Sequence, residues 1–152
     1  MCFQLHYNLI KRNLNIFGES SRSSSGGIAH LHGMMASLHP RLSLSLIYRN
    51  YDKNYHSTHA NAFSESSRPN NETGLFTGLQ FKLNNHWEVS SYFDQCTFPW
   101  MRYQVDKPNS NGMDGFVQVL YHPTKKLNIY ARVRHRTKPY NESITLTRDI
   151  TN

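Results

Sequence analysis

Long apolar runs are missing from this 152-residue sequence, and helical membrane proteins are excluded with them. No stretch approaches the roughly 18 apolar residues that a spanning helix needs, and the mean hydropathy is −0.66. Cysteine is scarce: Cys2 and Cys96 provide neither a metal-ligand spacing nor a disulfide framework. No nucleophile elbow, P-loop or dinucleotide fingerprint occurs, and Glu88, Asp94 and Asp106 are too scattered to act as an acid and base pair. Met1 to Ile10 lacks the basic and apolar regions of a secretory signal. Acidic residues are few, ten against seventeen Lys and Arg, so the formal charge is +7. That excess fits a nucleic acid, an acidic membrane surface or simply a basic exterior.

Alternation and aromatics are what the chain does contain. "LSLSLIYRNY", Leu42 to Tyr51, places Leu42, Leu44, Leu46 and Tyr48 on one face of an extended strand, with Ser43, Ser45, Ile47 and Arg49 on the other. Similar runs predict about nine strands: Phe3 to Leu9, Asn13 to Glu19, Gly27 to Ser37, Arg41 to Tyr51, Gly74 to Leu83, Trp87 to Gln95, Met113 to Tyr121, Lys126 to Arg136 and Glu142 to Ile150. Short links (Ile10 to Arg12, Leu38 to Pro40, Asn84 to His86, His122 to Lys125) alternate with long polar ones (Ser20 to Gly26, Asp52 to Thr73, Cys96 to Gly112, Thr137 to Asn141). All long loops then fall on one side of an all-β, up-and-down antiparallel meander of about 8–9 strands. Outer-membrane barrels have this pattern, whereas a Greek-key sandwich mixes link lengths at both ends.

The polar faces carry both signs of charge. Arg49, Lys82, Glu88, Asp94, Arg132 and Arg134 are the candidate lumen-lining residues, and paired charges inside a narrow barrel favour a plugged lumen over an open anion pore. Aromatics cluster near predicted strand ends, as lipid-interface girdles do. Tyr51, Tyr55, His56, Phe98, Trp100 and Tyr103 are candidate loop or rim contacts. In "FPWMRYQVDKP", Pro99 stiffens the chain between two large rings, which fits a rim anchor better than a ligand-gripping loop. His30 and His32 have a spacing that suits a metal, yet no third ligand follows, so polar lumen or rim histidines are the simpler expectation. The Arg132, Arg134, Arg136 ladder lacks any recognition helix or stacking platform, and nucleic acid is not an expected partner. No cofactor, metal or catalytic residue is assigned.

Two segments, Leu42 to Leu79 and Tyr92 to Lys138, resemble the barrel region of Bacteroidota outer-membrane proteins that are often labelled by helix-hairpin-helix motifs nearer their N-terminus. Arg49 to Tyr51, Tyr55, His56, Asn71-Glu72, Asp94 and Phe98-Pro99-Trp100 carry the likeness. It implies a bacterial outer-membrane location, with outer-membrane lipid and other envelope proteins as partners. The helix-hairpin-helix segment and a terminal aromatic strand are absent, so residues 1–152 are expected to be one β-barrel segment truncated at both ends. The functional expectation is a non-enzymatic channel, plugged scaffold or docking surface. The competing expectation is a soluble antiparallel β-domain that binds a ligand or glycan through its long loops.

Overall fold

The computed structural model describes residues 3–57, 62–65, 68–101, 105, 108–124 and 127–139. They form one eight-stranded antiparallel sheet in simple meander order: β1 (Phe3–Lys11), β2 (Leu14–Arg22), β3 (Ile28–His39), β4 (Leu42–Tyr51), β5 (Glu72–Lys82), β6 (Trp87–Phe98), β7 (Ser110–Thr124) and β8 (Leu127–Thr137). Each strand matches an expected run to within a few residues, and the short and long links alternate as expected. The ninth run, Glu142 to Ile150, lies outside the described residues. The sheet is open: β1 and β8 do not pair with each other. Leu31 to Leu38, where a short helix competes on sequence, is strand throughout.

Register assigns every side chain to one of two faces. Arg49 of β4 lies opposite Leu31 of β3 and Gly74 of β5, and the same row continues through Cys96 and Gly112. This inner face is concave, since one cavity of about 630 Å³ is lined both by Ile10 at one side of the sheet and by Phe116 at the other. Ile47, which breaks the alternation of its strand, stays on this face with unbroken register between Gly33 and Phe76. No β-bulge interrupts the strand at Ile47; the register shifts lie elsewhere, at Ser37/His39 and Tyr121/Thr124.

The outer face is apolar and bare. Leu75, Leu79, Phe81, Trp87, Phe93, Val117, Ile129 and Val133 are all exposed there, Val133 to 74%. Both ends of this belt are marked. At the short-turn end Trp87 and Tyr121 stack with ring centroids 4.3 Å apart. Towards the long loops a lateral row of polar residues crosses six strands: Ser20, His30, Asn50, Thr73, Thr97 and Asn111. Neighbours in that row satisfy one another, Ser20 with His30 at 2.8 Å, Thr73 with Asn50 at 3.2 Å and Thr97 with Asn111 at 2.9 Å. From Asn50 to Leu42 the strand covers about 27 Å at ~3.4 Å per residue. Tilted at about 40°, as barrel strands are, that is roughly 20 Å of height, close to the ~25 Å apolar band of outer-membrane barrels.

The aromatic residues near strand ends do not all share one face. Tyr48, Trp87, Phe93 and Tyr121 point outward, while Tyr51, Tyr92, Phe98 and Tyr130 lie on the inner face. The period of two, not proximity to the end, decides which side a ring takes.

Candidate functional site

The concentration of chemistry is on the inner face, towards the long loops. Arg49 and Glu72 are fully buried. The Arg49 guanidinium donates from Nε to Glu72 Oε1 (2.5 Å) and forks onto both oxygens of Asp94 (2.8 and 3.1 Å). Three adjacent strands thus share one planar, two-sided ion pair, the geometry that suits arginine rather than lysine. Gly74 makes room for it. A Cβ at Gly74 would sit 2.5 Å from Arg49 Cζ, so only glycine lets the guanidinium lie across β5.

A second charge group flanks the first. Arg134 donates to both oxygens of Asp114, from Nε at 2.9 Å and through a short contact from Nη2. Glu65, in the long β4–β5 loop, accepts from Arg136 and lies 3.1 Å from Lys138 Nζ. Its backbone N–H donates to both oxygens of Glu72. Phe63 stands 5.1 Å from the Arg49 guanidinium and edge-on to Phe76, and its carbonyl accepts from Tyr51 Oη at 2.9 Å. Residues 63–65 are therefore drawn onto the inner face and tied to β4, β5 and β8 together. Burial acts to raise the Glu65 pKa, but the hydrogen bonds from Arg136 and Lys138 outweigh it and hold the carboxyl below its ordinary range.

Below the charges lies a ladder of rings: Phe76 stacks on Tyr92 and Tyr92 on Phe116, with centroids 5.5 and 5.1 Å apart. The 630 Å³ cavity opens beneath this ladder, with Ser43, Ser45, Gly78, Gln80 and Ser90 around it. Asn15, also in its lining, keeps a buried Oδ1 without a hydrogen-bond partner.

The residues singled out in sequence do not all come together. Arg49, Asp94 and Arg134 belong to the charge groups just described. Lys82 and Glu88 face each other far from them at the short-turn end, with Glu88 taken by Gln80 at 2.6 Å. Arg132 lies opposite Gln118 with its guanidinium 5.6 Å from the Tyr130 ring. Tyr51, Tyr55 and Phe98 are buried; Tyr51 Oη donates to the Phe63 carbonyl and Tyr55 Oη accepts from Ser21 Oγ at 2.8 Å. His56 is exposed, and Tyr103 lies outside the described residues. Trp100 is exposed but braced: Asn71 bonds both its N–H and its carbonyl (2.9 and 2.8 Å), and Lys53 Nζ sits 4.3 Å over the ring. Asn71 does this from a left-handed backbone, φ 53°, which asparagine tolerates better than most residues.

Glu72, Glu65 and Asp114 are the site residues that sequence reasoning missed. Glu72 falls two residues before the expected start of its strand. Asp114 alternates correctly with Phe116 and Gln118 and was accessible as the acid an arginine ladder requires. Glu65 carries no signal, because a loop's fold does not follow from periodicity. Of the two places expected for His30 and His32, lumen or rim, the inner face is excluded: both lie on the outer face, His30 in the polar border row, bonded to Ser20 and Tyr7 respectively. Among the described residues no three His, Cys, Asp or Glu side chains are grouped as metal ligands.

No protein-family model matches the chain, and neither does any curated protein or solved structure. What the fold defines is therefore a class: an open, up-and-down antiparallel β-sheet with one apolar and one charged face.

Proposed function

We propose that the chain is wall and constriction of a non-enzymatic transmembrane β-barrel in a bacterial outer membrane, with its own β4–β5 loop narrowing the lumen. The observation that carries this reading is the outer face. Bare apolar side chains form a belt of bilayer height, with a stacked Trp–Tyr pair at one border and a hydrogen-bonded polar row at the other. Soluble monomers rarely expose contiguous apolar patches above a few hundred Å², so a soluble β-domain binding through its loops would need this whole face covered. The resemblance to Bacteroidota outer-membrane proteins belongs to the same proposal.

Inside, the ion pairs favour a plugged scaffold or very narrow channel. Residues 63–65 occupy space that water would otherwise fill, and the charges around them are mutually neutralised. Fractionation of the full-length gene product tests the reading. It should remain with membranes after an alkaline wash, require detergent for extraction, and migrate faster unheated than boiled. A product that stays in the aqueous phase without detergent contradicts it.

A further inference from the structure

The formal charge of +7 is unevenly placed. The four short-turn segments, residues 8–16, 36–44, 80–90 and 120–129, contain six Lys and Arg (Lys11, Arg12, Arg41, Lys82, Lys125, Lys126) and a single carboxylate, Glu88. At the opposite end the cations are matched by Asp52, Glu65, Glu72, Asp94 and Asp114, several of them in ion pairs. Among the described residues, Lys11, Arg12, Arg41 and Lys82 join no ion pair at all. The one acid near Lys82 is already bonded to Gln80.

Between three of these turns lies a cavity of about 560 Å³ lined by two cations, Arg41 and Lys82, against one carboxylate, Glu88, with Asn84, Trp87 and His122 also in its wall. Its shape is fixed by backbone contacts. Lys82 N–H donates to the Arg41 carbonyl at 2.8 Å, Asn84 Oδ1 accepts the N–H groups of His86 and Trp87, and His86 Nδ1 is 2.7 Å from the His122 carbonyl. Lys82 belongs to the inner-face row, whereas Trp87 points outward, so the cavity reaches round the turn to the apolar belt. Arg41 and Lys82 thus share a cavity wall with Trp87, which marks the aromatic border, the level where lipid phosphates sit in a bilayer.

We infer that the short-turn end is a binding surface for anionic phospholipid headgroups, with Arg41 and Lys82 seating the phosphate beside Trp87. This rests on the membrane reading above. Charge complementarity commits the surface to this occupant: unpaired cations at a bilayer border attract anionic lipid, each adding to the affinity and each screened by salt.

The test uses the full-length product reconstituted in phosphatidylcholine vesicles, with spin-labelled phosphatidylglycerol or phosphatidylcholine as the probe. The expected result is preferential association of phosphatidylglycerol, lowered by high salt and reduced roughly five-fold by each of Arg41→Gln and Lys82→Gln. Arg22→Gln and Lys53→Gln, at the long-loop end, should leave it unchanged. Heat-modifiable mobility verifies that each variant has folded and inserted. An inserted wild-type protein that associates equally with both lipids overturns the inference and leaves the barrel reading standing. Failure to insert overturns both. Inorganic phosphate that abolishes the preference at constant ionic strength makes the cavity a soluble-anion site and overturns the lipid assignment.

Discussion

Arg49 concentrates the energetics of the inner face in one side chain. With its guanidinium fully buried and shared by two carboxylates, removing a single partner strands charge in a place that water does not reach. Asp94→Asn should accordingly destabilise the fold by about 3–5 kcal/mol, whereas replacing buried ion-pair members together by apolar residues of similar volume is often neutral or better. Chemical denaturation in detergent, comparing Asp94→Asn with the Arg49→Met/Glu72→Leu/Asp94→Leu triple variant, checks the sign of that difference. Gly74→Ala should act through the same group by pushing the guanidinium off β5, although it removes no charge. Its denaturation midpoint should fall, and fall much less when Arg49 is already Met.

Glu65 supplies the pH dependence at this scale. Its pKa is lowered in the folded protein, so the hold it gives the loop is complete above the ordinary glutamate pKa of ~4.3 and is lost as pH falls through the lower folded value. Hydrogen exchange of the β4–β5 loop should therefore stay slow from neutral pH down to about 5 and, after correction for intrinsic rates, speed up below about 4. Glu65→Gln should give the faster behaviour at every pH, and a loop equally protected at all pH values would contradict the role assigned here.

At the scale of elements, β4 shows how much of the fold was legible. Its alternation identified the strand, its limits and the side of every residue, because a period of two leaves no other arrangement once one face is apolar. The exception, Ile47, was visible too, though not its reason: it sits between Gly33 and Phe76, a pairing fixed by register across three strands. Register and long-range partners are what a single sequence conveals least. Arg49 could be assigned to the polar face, but its pairing with Glu72 depends on β5 beginning two residues earlier than its apolar alternation does. Residues 63–65 were wholly illegible, since their place depends on Arg136 from the far edge of the sheet.

The two faces also make opposite predictions for one kind of substitution. Arg in place of outward Leu79, mid-belt, should cost about 2–4 kcal/mol in a bilayer. Arg in place of Gln80, its inward neighbour, should cost much less, because that side is polar and opens on the cavity. Refolding titrations in phospholipid vesicles read both, and equal penalties would mean that the two faces see the same medium.

For the whole molecule, the open sheet matters most. β1 and β8 each present an unpaired edge, and hydrocarbon does not tolerate unsatisfied backbone groups. A membrane account therefore requires both edges to be paired in the assembled barrel, while every other part of it follows from the outward belt. The most direct test of that belt is a spin-label scan along β4, from Ser43 to Tyr48, in the full-length product inserted in vesicles. Accessibility to oxygen and to a water-soluble nickel reagent should alternate with period two, oxygen favoured at Leu44, Leu46 and Tyr48 and suppressed at Ser43, Ser45 and Ile47. If Leu44 and Leu46 instead favour the nickel reagent, the outer face meets water and the barrel is contradicted.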